Sequence, residues 1–525
     1  MARQIPLRIA LFTARLLVAF FFSVLLIACA GSDASYTRWR GDVTRGRMTR
    51  AEELRASELI DYHAADDAPR PPGPQPAGAG GLYLSAELGN ARLPAIGAAH
   101  ALLQVSVRGA AGTARHAASV VMVVDTSGSM AEDEKIGAVR HAVARFVEQL
   151  HDDDHIGLVA FDSSARVLLE PARVGDVRGR ALALVGTLQP SGGTNLHAGL
   201  LRGIALARAR ALSRGVDRVV LLTDGLPTDG ERAPEAFDAL ARDAVAGGVH
   251  ITTIGVGRAI DDALMSRIAR SSGGAYHYVD RAEEVERVFG EELRSLAELA
   301  AREVALHIEL PSGWTLVQSY DEQTRVEGAT IVSQIGDLGG DEAAVRLYEL
   351  SAPSATAAAG EELHVRVSLR PAEPSDAVAT PVIAAQRIVV TRDGALPYDP
   401  APGGAVLRNL VLGRTAVALR DADLRQRGGD LGGALIALDG QLGFAREARA
   451  RLIAAGEATR AVTLDEPLAL LVRTRELVAA RVQSTPARAG EGAGAASLPL
   501  TSTAYAGWGA RTSERTARGR HAGDD

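Results

Sequence analysis

The stretch VVMVVDTSGSM, residues 120–130, decides how this chain is read. Five consecutive apolar residues without polar alternation fit a β-strand buried on both faces, as in a parallel sheet covered by helices. The run breaks into one carboxylate and three hydroxyls, Asp125, Thr126, Ser127 and Ser129, with Gly128 letting the backbone turn sharply. In open parallel sheets, ligands bind in the crevice outside the carboxyl ends of the strands. A buried strand ending in clustered oxygens is therefore a candidate binding loop.

Working outward, strand-like and helix-like periods alternate over residues 118–299, the pattern of a mostly parallel sheet with helices on both faces, an α/β, Rossmann-like architecture. The expected strands read SVVMVVD, HIGLVAF, ARVLLE, DRVVLLTD, VHITTIGVG and GAYHYVD. Between the first two, Ile136, Val139, Val143, Phe146, Val147 and Leu150 recur at helical spacing and predict one apolar stripe laid on the sheet. PEAFDALARDAVAGG carries first-turn Pro and Glu and a closing Gly pair, as helix ends require.

Two further oxygen-bearing loops fall where the first does: SGGTN (191–195) before a helix, and TDG (223–225) directly after the apolar run VVLL. Carboxylates, hydroxyls and waters make a hard environment suited to Mg²⁺ or Mn²⁺, with Ca²⁺ also admissible, and unlike the nitrogen- and sulfur-rich sites of zinc or copper. Neutral hydroxyls leave much of a cation's charge uncompensated, so an acidic group from a partner would complete the shell. Any one of these loops alone reads as a helix cap or turn, since Ser, Thr, Asp and Gly favour both. Three in order on this architecture read as one site.

The ordered set Asp125-x-Ser127-x-Ser129, Thr194 and Asp224 resembles the metal-ion-dependent adhesion site of von Willebrand factor type A domains. The resemblance implies that Ser127, Ser129 and Thr194 ligate the metal directly or through water, while Asp125 and Asp224 mostly hold coordinated waters. It implies adhesion or assembly through an acidic protein ligand, without catalysis, and in animal relatives a coupling of metal occupancy to the last helix, here around 283–299. The segment 35–71 is loosely similar to one that precedes this domain in a group of bacterial envelope proteins. DLGGDEAAVRLYEL (337–350) is similar to part of the same proteins.

The rest of the chain bounds the setting. At about 100 to 200 residues per domain, 525 residues divide into several units. We expect a signal peptide over 1–28, an N-terminal segment with a Pro/Gly linker over 29–81, and strands leading into the main domain over 82–117. A type A domain over 118–299, a β-sandwich-like domain over 300–400, a helical unit over 401–484 and a disordered tail over 485–525 complete the layout. Arg3, Arg8 and Arg15 precede an apolar run of signal-peptide length. It closes on Leu26-Ile27-Ala28-Cys29, which resembles a bacterial lipobox and holds the chain's single Cys. Ala30 follows, which by resemblance to Gram-negative lipoproteins favours lipid anchoring in the outer membrane, against the alternative of an ordinary signal peptide or anchor. A net charge of −7 with scattered Arg excludes a basic nucleic-acid stripe. Lys135 is the one lysine, a compositional bias from which no function is read.

Other constellations read more plainly. HDDDH (151–155) sits between a helix and a strand, where solvated turns belong, and the second TDG (228–230) reads as a turn. His250, His277 and His307 lie in strands without a local partner pattern, and TIGVGR lacks the dinucleotide spacing. No G-x-S-x-G elbow, H-E-x-x-H helix or P-loop occurs, and an aspartyl phosphatase would want a second Asp where Ser127 stands. A metal-dependent hydrolase and a structural envelope scaffold remain the alternatives to an adhesive metal-binding lipoprotein.

Overall fold

The structure is a computed structural model. It describes residues 34–64, 82–89, 93–94, 99–110, 117–209, 216–257, 260–279, 284–285, 287–290, 299–353, 361–370, 382–390, 392–393 and 404–484. The signal peptide, Cys29, the Pro/Gly linker and the C-terminal tail lie outside the described residues.

The described residues open on helices α1 (Ala34–Thr44) and α2 (Ala56–Ala64), followed by strands β1 (Leu82–Leu88) and β2 (Ala99–Gly109). The α/β unit then begins with β3 (Ala118–Asp125), α3 (Lys135–Gln149), β4 (His155–Phe161), β5 (Ala165–Arg173) and α4 (Val174–Gly186). It continues with α5 (Leu196–Ala209), β6 (Val216–Thr223), α6 (Pro234–Ala246), β7 (Val249–Val256), α7 (Asp262–Ser271) and β8 (Tyr276–Val279). Its six strands form one sheet in the order β5-β4-β3-β6-β7-β8. All neighbours are parallel except β5, which pairs antiparallel with β4.

Every residue of β3 is buried, and successive side chains serve opposite cores. Val120, Met122 and Val124 join the core that receives Ile136, Val139, Val143, Phe146 and Val147 of α3. Val121 and Val123 face Leu200, Ile204 and Ala207 of α5. The central strand is thus apolar on both faces because both are covered. Helix α5 packs on the sheet at glycines, for a Cβ on Gly203 would lie 2.4 Å from Val123 Cγ2 and one on Gly199 2.7 Å from the Phe161 ring. Val285, Val288 and Phe289 are buried in the α3 core, with the Phe289 ring 5.4 Å from that of Phe146. Residues 287–290 are helical. The last helix does not reach Leu299, which opens a strand.

Beyond this unit come β9 (Leu299–Glu309), β10 (Thr315–Ser319), β11 (Thr324–Glu327), β12 (Thr330–Gly339), β13 (Ala343–Ala352), β14 (Glu361–Arg370) and β15 (Val382–Val390). Two antiparallel sheets result, β1-β2-β13-β10 and β11-β12-β9-β14-β15. Leu103, Val105 and Val107 of one and Val304, Leu306 and Ile308 of the other share a core. The strands of 82–117 therefore do not lead into the parallel sheet. β2 pairs with β13 over ten residues, from Ala99↔Ala352 to Arg108↔Ala343, and the α/β unit is inserted between β2 and β9. Period-two alternation marks a strand but carries no information about which distant strand covers its edge.

The C-terminal helices α8 (Gly404–Arg427), α9 (Leu431–Ala454), α10 (Ala458–Val462) and α11 (Asp465–Ser484) do not form a unit alone. Their core contains Tyr36, Trp39, Leu59 and Ile60 from the N-terminal helices together with Leu410, Leu419, Leu438 and Val478. Trp39 Nε1 donates to Thr474 Oγ1 at 3.1 Å. Helix α1 also grips the α/β unit. The buried Arg38 pairs with Asp262 and lies 4.1 Å over the Tyr278 ring, and the Tyr276 hydroxyl donates to the same Asp262. On the sandwich side, Arg218 meets Asp337 at 3.2 Å with both side chains buried.

Candidate metal centre

The site begins where β3 stops. Asp125 is fully buried, and its carboxylate accepts from the Ser127 amide at 2.7 Å and from the Thr223 hydroxyl at 2.5 Å. Burial is the main cause that pushes this carboxyl up to about 6. Asp224 adds repulsion, while the Thr223 and Ser127 hydrogen bonds work the other way. After Ser127 the chain enters a 3₁₀ turn, Gly128–Glu134, which runs directly into α3.

The second loop is fastened to the first by backbone. Gly192, at φ +69, offers its carbonyl to the Gly128 amide at 3.1 Å, and the Ser191 amide donates to the Thr126 carbonyl at 2.7 Å. The positive φ is one glycine adopts without steric cost. Thr194 is buried immediately before α5. The third loop starts at the end of β6, where Asp224 is fully buried and accepts from Ser129 Oγ at 2.7 Å.

These elements bring all five sequence-predicted residues together. Ser127 Oγ and Ser129 Oγ are 3.1 Å apart. A Cβ on Gly225 would touch Ser129 Oγ at 3.6 Å and Thr194 Oγ1 at 3.7 Å, so the glycine leaves open the space that both hydroxyls border. The donors are oxygen only, two carboxylates and three hydroxyls, a set matched to a hard divalent cation. Among the described residues no cluster of three or more His, Cys, Asp and Glu forms a metal site, so hydroxyls are indispensable to any cation held here. Ser129 is partly exposed and Gly128 exposed, which opens the site to solvent on one side. Leu226 stands beside it with 53% of its surface exposed.

Residues beyond the five also build the site. Thr223 holds Asp125. Thr228 Oγ1 accepts from the Thr194 amide at 2.8 Å, and the Thr228 and Asp229 amides donate to the Thr194 carbonyl at 3.0 and 3.2 Å. The second TDG is a turn, and it clamps Thr194. Asp162, after β4, accepts the Asn195 amide through its carbonyl at 2.7 Å. Lys135, the first residue of α3, donates from Nζ to Asp224 Oδ2 at 2.7 Å. Only the composition pointed to it, as the chain's single lysine.

The other constellations stand apart from this site. In HDDDH, Asp154 is buried and accepts from the amides of Ala118 and His151, both at 2.8 Å, tying the start of β3 to the turn. Arg178 pairs with Asp152 on its surface at 2.8 Å. His250 lies 3.5 Å from Asp337 at the junction with the sandwich.

Residues 119–291 match the model of the von Willebrand factor type A domain. The chain is similar to the uncharacterized protein YfbK of Escherichia coli K12, with 30% identity over 241 residues, 45% of this chain and 42% of that one. It is also similar to human inter-alpha-trypsin inhibitor heavy chain H4, with 32% identity over 164 residues, 30% of this chain and 17% of the other. The match thus spans less than half the length of either relative. A solved structure, von Willebrand factor type A from Catenulispora acidiphila, shares the fold at a TM-score of 0.55 and 19% identity, covering 70% of this chain and 87% of that one. Family model and fold agree: residues 119–291 are a von Willebrand factor type A domain.

Proposed function

We propose that this domain binds Mg²⁺ or Mn²⁺ through Asp125, Ser127, Ser129, Thr194 and Asp224 and uses the bound ion to capture an acidic side chain of a protein partner. The observation that carries this reading is the convergence of five oxygen-bearing side chains from three loops on one solvent-facing point. When bound, the ion supplies an electrophilic anchor for a carboxylate. Ser127, Ser129 and Thr194 would present lone pairs to it, and Asp125 and Asp224 would balance its charge. The Thr223 hydroxyl, the Ser127 amide and the Thr228 clamp fix those groups in advance, which lowers the ordering cost of binding.

The role is adhesion or assembly rather than catalysis. Exposed Leu226 gives a partner an apolar contact beside the charged anchor, a pairing typical of interface cores. The sandwich and the helical unit would present the domain. Cys29 would carry the lipid that holds the chain on a bacterial envelope, at the outer membrane. Among the described residues no helix is long and apolar enough to cross a membrane. Envelope extracts passed over immobilised wild-type and Ser127→Ala protein, with Mg²⁺ or with chelator, test the reading. A partner retained only by wild type with Mg²⁺ is the expected result, and identical retention in all four arms would overturn it.

A further inference from the structure

The site already holds a cation of its own. Lys135 Nζ lies 2.7 Å from Asp224 Oδ2, while Asp224 Oδ1 accepts from Ser129 Oγ. Glu132 Oε2 is 3.9 Å from the same ammonium, but that side chain is 74% exposed, whereas Asp224 is wholly buried. The stem of Lys135 is itself buried, and Gly257, at φ +82, makes room for it: a Cβ there would sit 3.3 Å from Lys135 Cε.

Composition sharpens the point. Of 57 Lys and Arg in the chain, Lys135 is the one lysine. A lysine delivers a compact point charge on a flexible stem, where arginine brings a wide planar fork with five donors. Beside a buried carboxylate whose other oxygen serves Ser129, the compact charge is the one that leaves the crevice open.

Resting on the metal-binding reading above, we propose that Lys135 is a built-in counter-cation that makes metal binding depend on an anionic ligand. Asp125 and Asp224 together match a divalent ion's charge, and the ammonium then leaves the loaded site with one positive charge in excess. Metal alone binds weakly because it arrives next to that charge. A carboxylate cancels the excess, so metal and carboxylate each strengthen the other's binding by the same factor. Lys135 would thus keep the site quiet until a partner's acidic residue arrives.

The test is calorimetric titration of the purified full chain with Mn²⁺, with and without acetate as the carboxylate probe, for wild type, Lys135→Met and Lys135→Gln. Removing a unit charge a few ångströms from the ion should tighten Mn²⁺ binding without acetate by about tenfold or more. The tightening produced by acetate should shrink in both variants. Lys135→Gln keeps a donor for Asp224 without charge, so it separates charge from positioning and remains informative if the methionine variant unfolds. Mn²⁺ binding by folded variants that is equal to or weaker than wild type, in a wild type that binds, would overturn the counter-cation role and leave the metal site standing. Failure of all three proteins to bind Mn²⁺ in either condition would overturn the metal-binding reading, and this inference with it.

Discussion

Trp39→Ala tests whether the N-terminal segment is an integral wall of the protein rather than a tether. Trp39 has no exposed surface, packs in the core shared with the C-terminal helices, meets the Tyr36 ring edge-on at 6.0 Å and donates to Thr474 Oγ1. Truncating a buried Trp to Ala typically costs about 3–5 kcal/mol through lost transfer energy and a residual cavity. The lost hydrogen bond leaves no orphan, because Thr474 Oγ1 also donates to the Leu470 carbonyl at 2.8 Å, so the cavity dominates. Leu102, Val345 and Leu347 of β2 and β13 also enter this core, while the type A domain has cores of its own, so we expect calorimetry to show an early transition of helices and sandwich split from that of the type A domain. Trp39→Phe, which keeps a ring, should lose much less. A single unshifted transition in Trp39→Ala, or a loss below about 1 kcal/mol, would refute the shared core.

Three further outcomes follow from the same geometry. The His63 ring packs against Tyr36 and Tyr62, and burial, helped by Arg408, holds it down to about 3, so folded His63 stays neutral where unfolded His63 is protonated. Stability is full above the unfolded value near 6.5 and falls as pH drops toward 3, so unfolding free energies from urea titrations at pH 7.5 and 5.0 should differ by about 1–2 kcal/mol more in wild type than in His63→Phe, allowing for partial exposure. Gly203→Ala places a Cβ against Val123 and should destabilise by about 1–2 kcal/mol despite better helix propensity, read from the thermal midpoint. Thr228→Val removes the acceptor of the Thr194 amide and should cost about 1–2 kcal/mol while weakening Mn²⁺ binding in the same titration; unchanged metal affinity would show that the clamp does not set Thr194.

What the sequence disclosed was local. Val120–Val124 followed by Asp125-x-Ser127-x-Ser129 announces a doubly buried strand and its oxygen loop within eleven residues, and the Ile136–Val147 stripe identifies its covering helix. What it withheld was pairing across distance. Nothing near Leu103 or Val105 points to Tyr348 or Arg346, their partners in β13, and nothing near Trp39 points to Thr474. The 34–64 segment reads as charged and weakly helical because the residues that bury its apolar side chains, among them Tyr36, Trp39, Leu59 and Ile60, lie mostly in β13 and the C-terminal helices, far along the chain. Within the site the same divide holds. The five motif residues stand in recognisable loops, while Lys135 and Thr228 contribute through a side chain reaching another loop, which spacing alone does not encode.

The most direct measurement is thermal unfolding of the full chain with and without millimolar Mg²⁺ or Mn²⁺, at pH 7.5, for wild type and Asp125→Ala, with acetate present in a parallel series. A ligand at about 100 times its dissociation constant adds about 2.7 kcal/mol to the folded state. The account predicts that metal raises the wild-type midpoint, more strongly with acetate, and leaves Asp125→Ala unmoved. A wild-type midpoint indifferent to both metals in both series, or an equal shift in Asp125→Ala, would contradict it.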